Sequence, residues 1–218
     1  SEALASFRNN ITTIKQDGSE VTNADIRCEE IIVNELSRLW PRSSIKSEEG
    51  TLVQGSQGQW FVDPIDGTSA YLDGLAYFGP TICYAEDGVL QFGASFFPRL
   101  NEYWYAQTDI GAFRNGKRLS SSIGKIRSPQ NRVLFVPSRF HRIQPFQWRG
   151  KLRALGSSAA HMAHVAGGGG VAALIHRWAT WDIGAGLLLA LETGNNVINL
   201  DGTKVDPLSA NSTNNLIQ

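Results

Sequence analysis

The sequence predicts a mixed α/β fold of helices layered on sheets, divided into two lobes over residues 1–130 and 131–218. Three observations carry that expectation. Apolar residues recur at helical spacing before Pro41, short β-like runs begin at Trp60, and the last third alternates strand, helix, strand, helix and strand. With 42% hydrophobic and 10% aromatic residues against 18% charged, the 218-residue chain can bury a sizeable core and is not disordered.

Leu4, Phe7, Ile11 and Ile14 are spaced for a short amphipathic helix, which the polar loop KQDGSE interrupts. VTNADIRCEEIIVNELSRLW then places Ile26, Ile32 or Val33, Leu36 and Leu39 on one helical face, with Thr22 or Asn23 as N-cap. Pro41 ends it. QWFVD, TICYAE, VLQFGASFF, EYWYAQ and RVLFV read as strands of an antiparallel middle section, with hairpin turns at Asp87-Gly88 and Asn115-Gly116. KLRAL, VAALI and NVINL read as strands, alternating with helices over SSAAHMAHVA and WDIGAGLLLALETG. The run Gly167 to Gly170 reads as a turn between helix and strand.

Lys plus Arg and Asp plus Glu number 20 each, so no global field favours nucleic acid or an anionic membrane, and an anionic ligand must be held locally. Cys28 and Cys83 are too few for a disulfide framework and form no Cys-x-x-Cys pair, so reduced thiols and a cytoplasmic setting are expected. The first residues lack the basic and apolar regions of a secretion signal, and GAGLLLALETG is too short to span a bilayer.

The chemistry concentrates in Trp60-Phe61-Val62-Asp63-Pro64-Ile65-Asp66-Gly67-Thr68. An apolar run ends in Asp63, Pro64 keeps the chain extended, and Asp66 follows just before Gly-Thr, so two carboxylates stand at a strand end. Mg²⁺ wants oxygen ligands and keeps waters that a phosphate can replace, a need met by such a pair with the Ile65 carbonyl. Gly67-Thr68-Ser69 can open a helix whose free amides bind phosphate, while Thr68 could equally serve as a simple cap. Glu48, in Ser47-Glu48-Glu49-Gly50, and Asp182, after Trp181, each read singly as a solvated or helix-terminal acid. Beside DPIDGT they complete a metal shell.

VTNAD (21–25), SEE (47–49), WFVDPIDGT (60–68) and WDIGAG (181–186), with weaker matches at GAFRNG (111–116) and LGSSAA (155–160), resemble the inositol monophosphatase family of Mg²⁺-dependent, lithium-sensitive phosphatases. The six residues DPIDGT alone arise by chance on the order of once in tens of millions of starting positions. The resemblance implies a layered α/β/α/β/α sandwich and a hydrolase that releases orthophosphate from a small phosphorylated metabolite. It implies that Glu48, Asp63 and the Ile65 carbonyl hold one Mg²⁺, that Asp63, Asp66 and Asp182 hold a second, and that a third, weaker ion sits near Glu48. It also implies that Thr68 with Asp25 activates a water, that Gly67 and Thr68 grip the phosphate, and that Lys15 is the mobile-loop lysine. Asp66, Gly156, Ser157, Ser158 and Arg177 would contact substrate, and the family is commonly dimeric. The alternative is a regulatory protein that keeps the fold.

Departures from the family pattern concern the substrate. His176-Arg177-Trp178-Ala179-Thr180 lacks the glutamate that binds inositol hydroxyls, so inositol specificity is not expected. Arg177 could meet a second phosphate and Trp178 a base or sugar, or they are a surface Arg beside a core Trp. Val171 stands where the family commonly has aspartate, and the segment before Lys15 is short beside the family's long first helix. Pro137-Ser138-Arg139-Phe140-His141 is similar to the Ser-Arg-x-His piece of the branch acting on 3'-phosphoadenosine 5'-phosphate. His161 and His164, three apart on a helix, lack a third metal ligand and read as packing, as do Trp40, Trp104 and Trp148.

Overall fold

The computed structural model describes residues 2–5, 11–15, 18–120, 128–142 and 146–208. The chain begins with α1 (Glu2–Ala5), the hairpin of β1 (Thr12–Ile14) and β2 (Glu20–Thr22), and the long helix α2 (Asn23–Leu39). The single helix expected from Leu4 to Ile14 is therefore corrected: Ile14 pairs with Glu20 across a hairpin, and Ile11 and Ile14 are exposed. Their helical spacing buries nothing, and Phe7 lies outside the described residues.

Eight strands follow in one sheet: β3 (Ser43–Ser47), β4 (Leu52–Val53), β5 (Gln57–Asp66), β6 (Gly79–Glu86), β7 (Val89–Phe97), β8 (Glu102–Gln107), β9 (Gly111–Arg114) and β10 (Lys117–Arg118). Their spatial order is β10-β9-β8-β7-β6-β5-β3-β4, antiparallel except for the parallel pair β3 and β5. Both expected hairpin turns form, with positive φ at Asp87 (51°) and Gly88 (76°) and at Asn115 (48°) and Gly116 (74°), as a type I′ turn requires.

Strand alternation splits the core between the two faces of this sheet. Trp60 and Val62 pack with Leu36 of α2 on one side. Phe61, Cys83 and Leu90 face the other, against Ile183 and Leu187 of a later helix. That helix, α5 (Thr180–Glu192), pairs with α4 (Ser158–Ala166), while α3 (Thr68–Leu72) is a single turn after β5. An added Cβ on Gly184 would lie 2.3 Å from Cys83 Sγ, and one on Gly93 would lie 2.5 Å from Ala185 Cα. Glycine at both positions lets α5 approach the sheet closely, which fixes the height of Asp182 at its start.

Beyond α4 lies a small parallel sheet, order β12-β11-β13, of β11 (Val133–Phe135), β12 (Lys151–Arg153) and β13 (Ala172–Ala173). RVLFV thus belongs to this parallel sheet and not to the antiparallel section, a distinction that a short apolar run cannot make. The expected strand at NVINL is reduced to one antiparallel bridge, Ile198 to Lys204. Layers among the described residues read helix, sheet, helix pair, sheet. Cys28 and Cys83 are buried free thiols, and no helix among the described residues is long and apolar enough to cross a membrane.

Candidate active site

The end of β5 builds the centre of the site. Its pairing with β6 shifts register between Asp63 and Asp66, so this stretch leaves the ladder, and the Ile65 amide turns back to donate to Asp63 Oδ1 at 2.9 Å. Gly67 adopts φ 87°, where a Cβ would stand 3.0 Å from the Tyr77 carbonyl and 3.1 Å from that of Gly156. Thr68 then opens α3, its Oγ1 lying 3.2 Å from both Asp25 Oδ1 and the Ile65 carbonyl oxygen.

Asp25 reaches Thr68 from the first turn of α2. Thr22 caps that helix, donating its amide (2.8 Å) and hydroxyl (2.6 Å) to Asp25 Oδ2, which leaves Oδ1 directed at Thr68. Burial raises the Asp25 pKa, against the hydrogen bonds from Thr22 and Thr68 that lower it. One turn along the same helix is Glu29, which the sequence reading passed over. It is buried, and its carboxylate accepts the Glu49 amide at 3.1 Å and, through its other oxygen, the Thr51 hydroxyl. With Ser47 Oγ accepting the Thr51 amide at 3.0 Å, these bonds hold the turn that carries Glu48. Its signal was an acid four residues after Asp25, a spacing that shares one helix face, but an ordinary helix acid looks the same.

Asp182 stands in the first turn of α5, its Oδ2 accepting the Ala179 amide at 2.5 Å. Carboxylate oxygens of Glu48, Asp63 and Asp182 lie within 4.8 Å of one another. Burial, then repulsion from Glu48 and other acids nearby, raises the pKa of Asp63 and Asp182 well above the usual carboxylate value. Such a trio, all oxygen and mutually repelling, fits a hard divalent cation. Lys15, between β1 and β2, extends Nζ to Glu48 Oε1 (3.0 Å) and Glu49 Oε1 (2.8 Å). Burial alone would lower the Lys15 pKa, but the two acids raise it, while burial of Glu49 brings that carboxyl up to about 7.

Asp66 is not in the close trio. Its carboxylate accepts the Ser157 hydroxyl and the Ala159 (3.0 Å) and Ser158 (3.3 Å) amides at the start of α4, and burial outweighs these bonds to bring its pKa to about 6. Asp66 therefore ties the metal-side strand to the turn Gly156-Ser157-Ser158, expected to touch substrate. That turn lines a cleft of about 160 Å³ together with Pro137, Ser138, His161 and His176. Arg177 is exposed and outside this lining, and Trp178, which the sequence offered as a partner for a base or sugar, is 5% exposed within the core. His161 accepts the Leu155 amide at 2.9 Å and stacks on Phe135, and His164 lies among Tyr77, Trp104 and Phe135, so both are packing residues.

A profile of the inositol monophosphatase family matches residues 2–216. The fructose-1,6-bisphosphatase/inositol-1-monophosphatase of Thermotoga maritima is 33% identical over 196 residues, which are 88% of this chain and 75% of that protein. Nus factor SuhB of Pasteurella multocida is 30% identical over 204 residues, 88% of this chain and 76% of its own. A solved structure of the Thermotoga maritima IMPase superposes with a TM-score of 0.82 at 29% identity, over 95% of this chain and 83% of that one.

Proposed function

The chain belongs to the inositol monophosphatase family and is a phosphoric monoester hydrolase, and we propose that it releases orthophosphate from a small phosphorylated metabolite with Mg²⁺ as its metal. One observation carries the proposal: Glu48, Asp63 and Asp182, from a turn, a strand end and a helix start, converge within 4.8 Å beside the Asp25–Thr68 pair. Glu48, Asp63 and the Ile65 carbonyl would hold one ion, and Asp63, Asp66 and Asp182 another, with a third near Glu48. Bound there, Mg²⁺ would neutralise phosphoryl oxygens, acidify a water and stabilise the leaving oxygen. Thr68 Oγ1 would orient the attacking water, and Asp25 Oδ1, already its hydrogen-bond partner, would take up the proton passed through that hydroxyl. The amides of Gly67 and Thr68 would face the phosphate, and the turn Gly156-Ser157-Ser158 with Arg177 would face the rest of the substrate.

The missing glutamate before Trp181 argues for a substrate other than inositol 1-phosphate. Comparing kcat/KM for inositol 1-phosphate, 3'-phosphoadenosine 5'-phosphate, fructose 1,6-bisphosphate and histidinol phosphate tests this, and a wide margin for inositol 1-phosphate would overturn it. A regulatory role is favoured by one observation, the name of the SuhB relative. Orthophosphate release that requires Mg²⁺ would decide for the enzyme, and none with any metal would decide for regulation. Homodimer formation, by likeness to the family, is part of the reading and is checked by sedimentation.

A further inference from the structure

Zero net charge conceals a segregation. Between Ile110 and Trp181 the chain has no Asp or Glu, yet this stretch holds twelve of the 20 Lys and Arg and all four His. Its formal charge is +12, balanced by −12 over the remainder, where the carboxylate site lies. The stretch runs from β9 across the small parallel sheet, and the lobe over residues 131–218 carries eight Lys and Arg against four Asp and Glu.

On that lobe the charges are grouped. Lys151 and Arg153 lie on β12, an edge strand, Arg149 lies in the bend that leads into it, and all three are exposed. At one end the Lys151 amide bonds the Arg132 carbonyl at 2.8 Å, and at the other the Val136 amide bonds the Arg153 carbonyl at 2.8 Å, next to the turn bearing Arg139 and Arg142. Phe140 and Phe146 meet edge to face at 4.8 Å, bringing that turn against the segment that leads into Arg149. Arg139, Arg142, Arg149, Lys151 and Arg153 make no ion pair among the described residues.

We propose that this strip is a binding surface for single-stranded nucleic acid, separate from the carboxylate centre. Arg outnumbers Lys four to one among these residues, and a guanidinium forks onto phosphate oxygens and stacks on bases in ways an ammonium cannot. Phe146, 39% exposed among the arginines, offers a base a stacking face. A membrane surface would call instead for an amphipathic helix with an apolar face, and the strip lies on a strand and a 3₁₀ turn.

The test measures anisotropy of labelled oligo(U) and oligo(dT) of about 20 nucleotides, with EDTA present so that no metal recruits phosphate to the carboxylates. Binding is expected to weaken about a hundredfold between about 50 and about 200 mM salt, the slope for some five phosphate contacts on a single strand. Arg149→Glu/Lys151→Glu/Arg153→Glu should lower affinity at least about 30-fold, and Phe146→Ala about fivefold or more, with Mg²⁺-dependent phosphatase turnover retained in both. The same charge change on the other lobe, Arg27→Glu/Arg38→Glu/Arg42→Glu, should cost less than about threefold. Should the first triple variant not fold, Lys151→Glu alone should still lower affinity by about threefold. Absence of binding at low salt, equal losses from the two triple variants, or binding to phosphatidylserine vesicles but not to oligonucleotides would each overturn the proposal.

Discussion

The carboxylate cradle and the cleft beside it are built to different standards. Asp25 and Asp182 each sit in the first turn of a helix and each is drawn back by the amide of its own cap residue, at 2.8 Å from Thr22 and 2.5 Å from Ala179. Asp63 is held by the Ile65 amide, Glu48 by a turn that Glu29 anchors, and Asp66 by three groups at the start of α4. Across the cleft, the side chains of Ser138 and His176 have no hydrogen bond among the described residues, and Arg177 is exposed on the loop before α5. The acids stand at the ends of strands and helices or on a turn tied to one, as groups that must meet charge at a set position should, whereas Ser138, His176 and Arg177 stand on loops.

That contrast can be broken first on the rigid side. Asp182→Asn should lower kcat at least about a hundredfold, about 2.7 kcal/mol of transition-state stabilisation, with the fold retained by circular dichroism. Near-normal turnover would remove Asp182 from the metal shell. Glu29→Gln probes the support beneath Glu48: one donor of the turn loses its acceptor, so half-saturation by Mg²⁺ should rise about tenfold while kcat at saturating metal stays within about twofold. A fall in melting temperature with no change in metal dependence would make Glu29 a stabilising residue only. On the loop side Arg177→Ala should be the mildest, raising KM about two- to fivefold for a doubly anionic substrate and leaving kcat unchanged.

Sequence signals were strongest where local rules and function coincide. DPIDGT announced the carboxylates of β5, and Thr22 with Asp25 was readable as a helix start. The face of α2 was not. Ile26 and Leu39, expected inside, are 44% and 52% exposed, whereas Asp25 and Glu29 are buried. Near its N-terminus this helix buries polar side chains because the site needs them there, and hydrophobic periodicity cannot register that. Residues 11–14 failed for the opposite reason: their apolar spacing was incidental, and pairing with β2 overrode it. Charge balance misled as well, since a sum of zero says nothing about where the charges lie.

The central claim is that the buried acids repel one another until a cation joins them, and thermal stability with and without Mg²⁺ tests it most directly. Asp63 and Asp182 have folded-state pKa values well above their unfolded ones, and Asp66 is raised to about 6. Their protonated forms stabilise the metal-free protein below about pH 4, the unfolded pKa, and that contribution is lost as pH rises through the folded values. Mg²⁺ should therefore raise the melting temperature more at about pH 7.5 than at about pH 5, and Asp63→Asn should raise the metal-free value while abolishing the Mg²⁺ increment. A melting temperature indifferent to Mg²⁺ at both pH values, or an Asp63→Asn protein that melts lower without metal and still responds to it, would contradict the account.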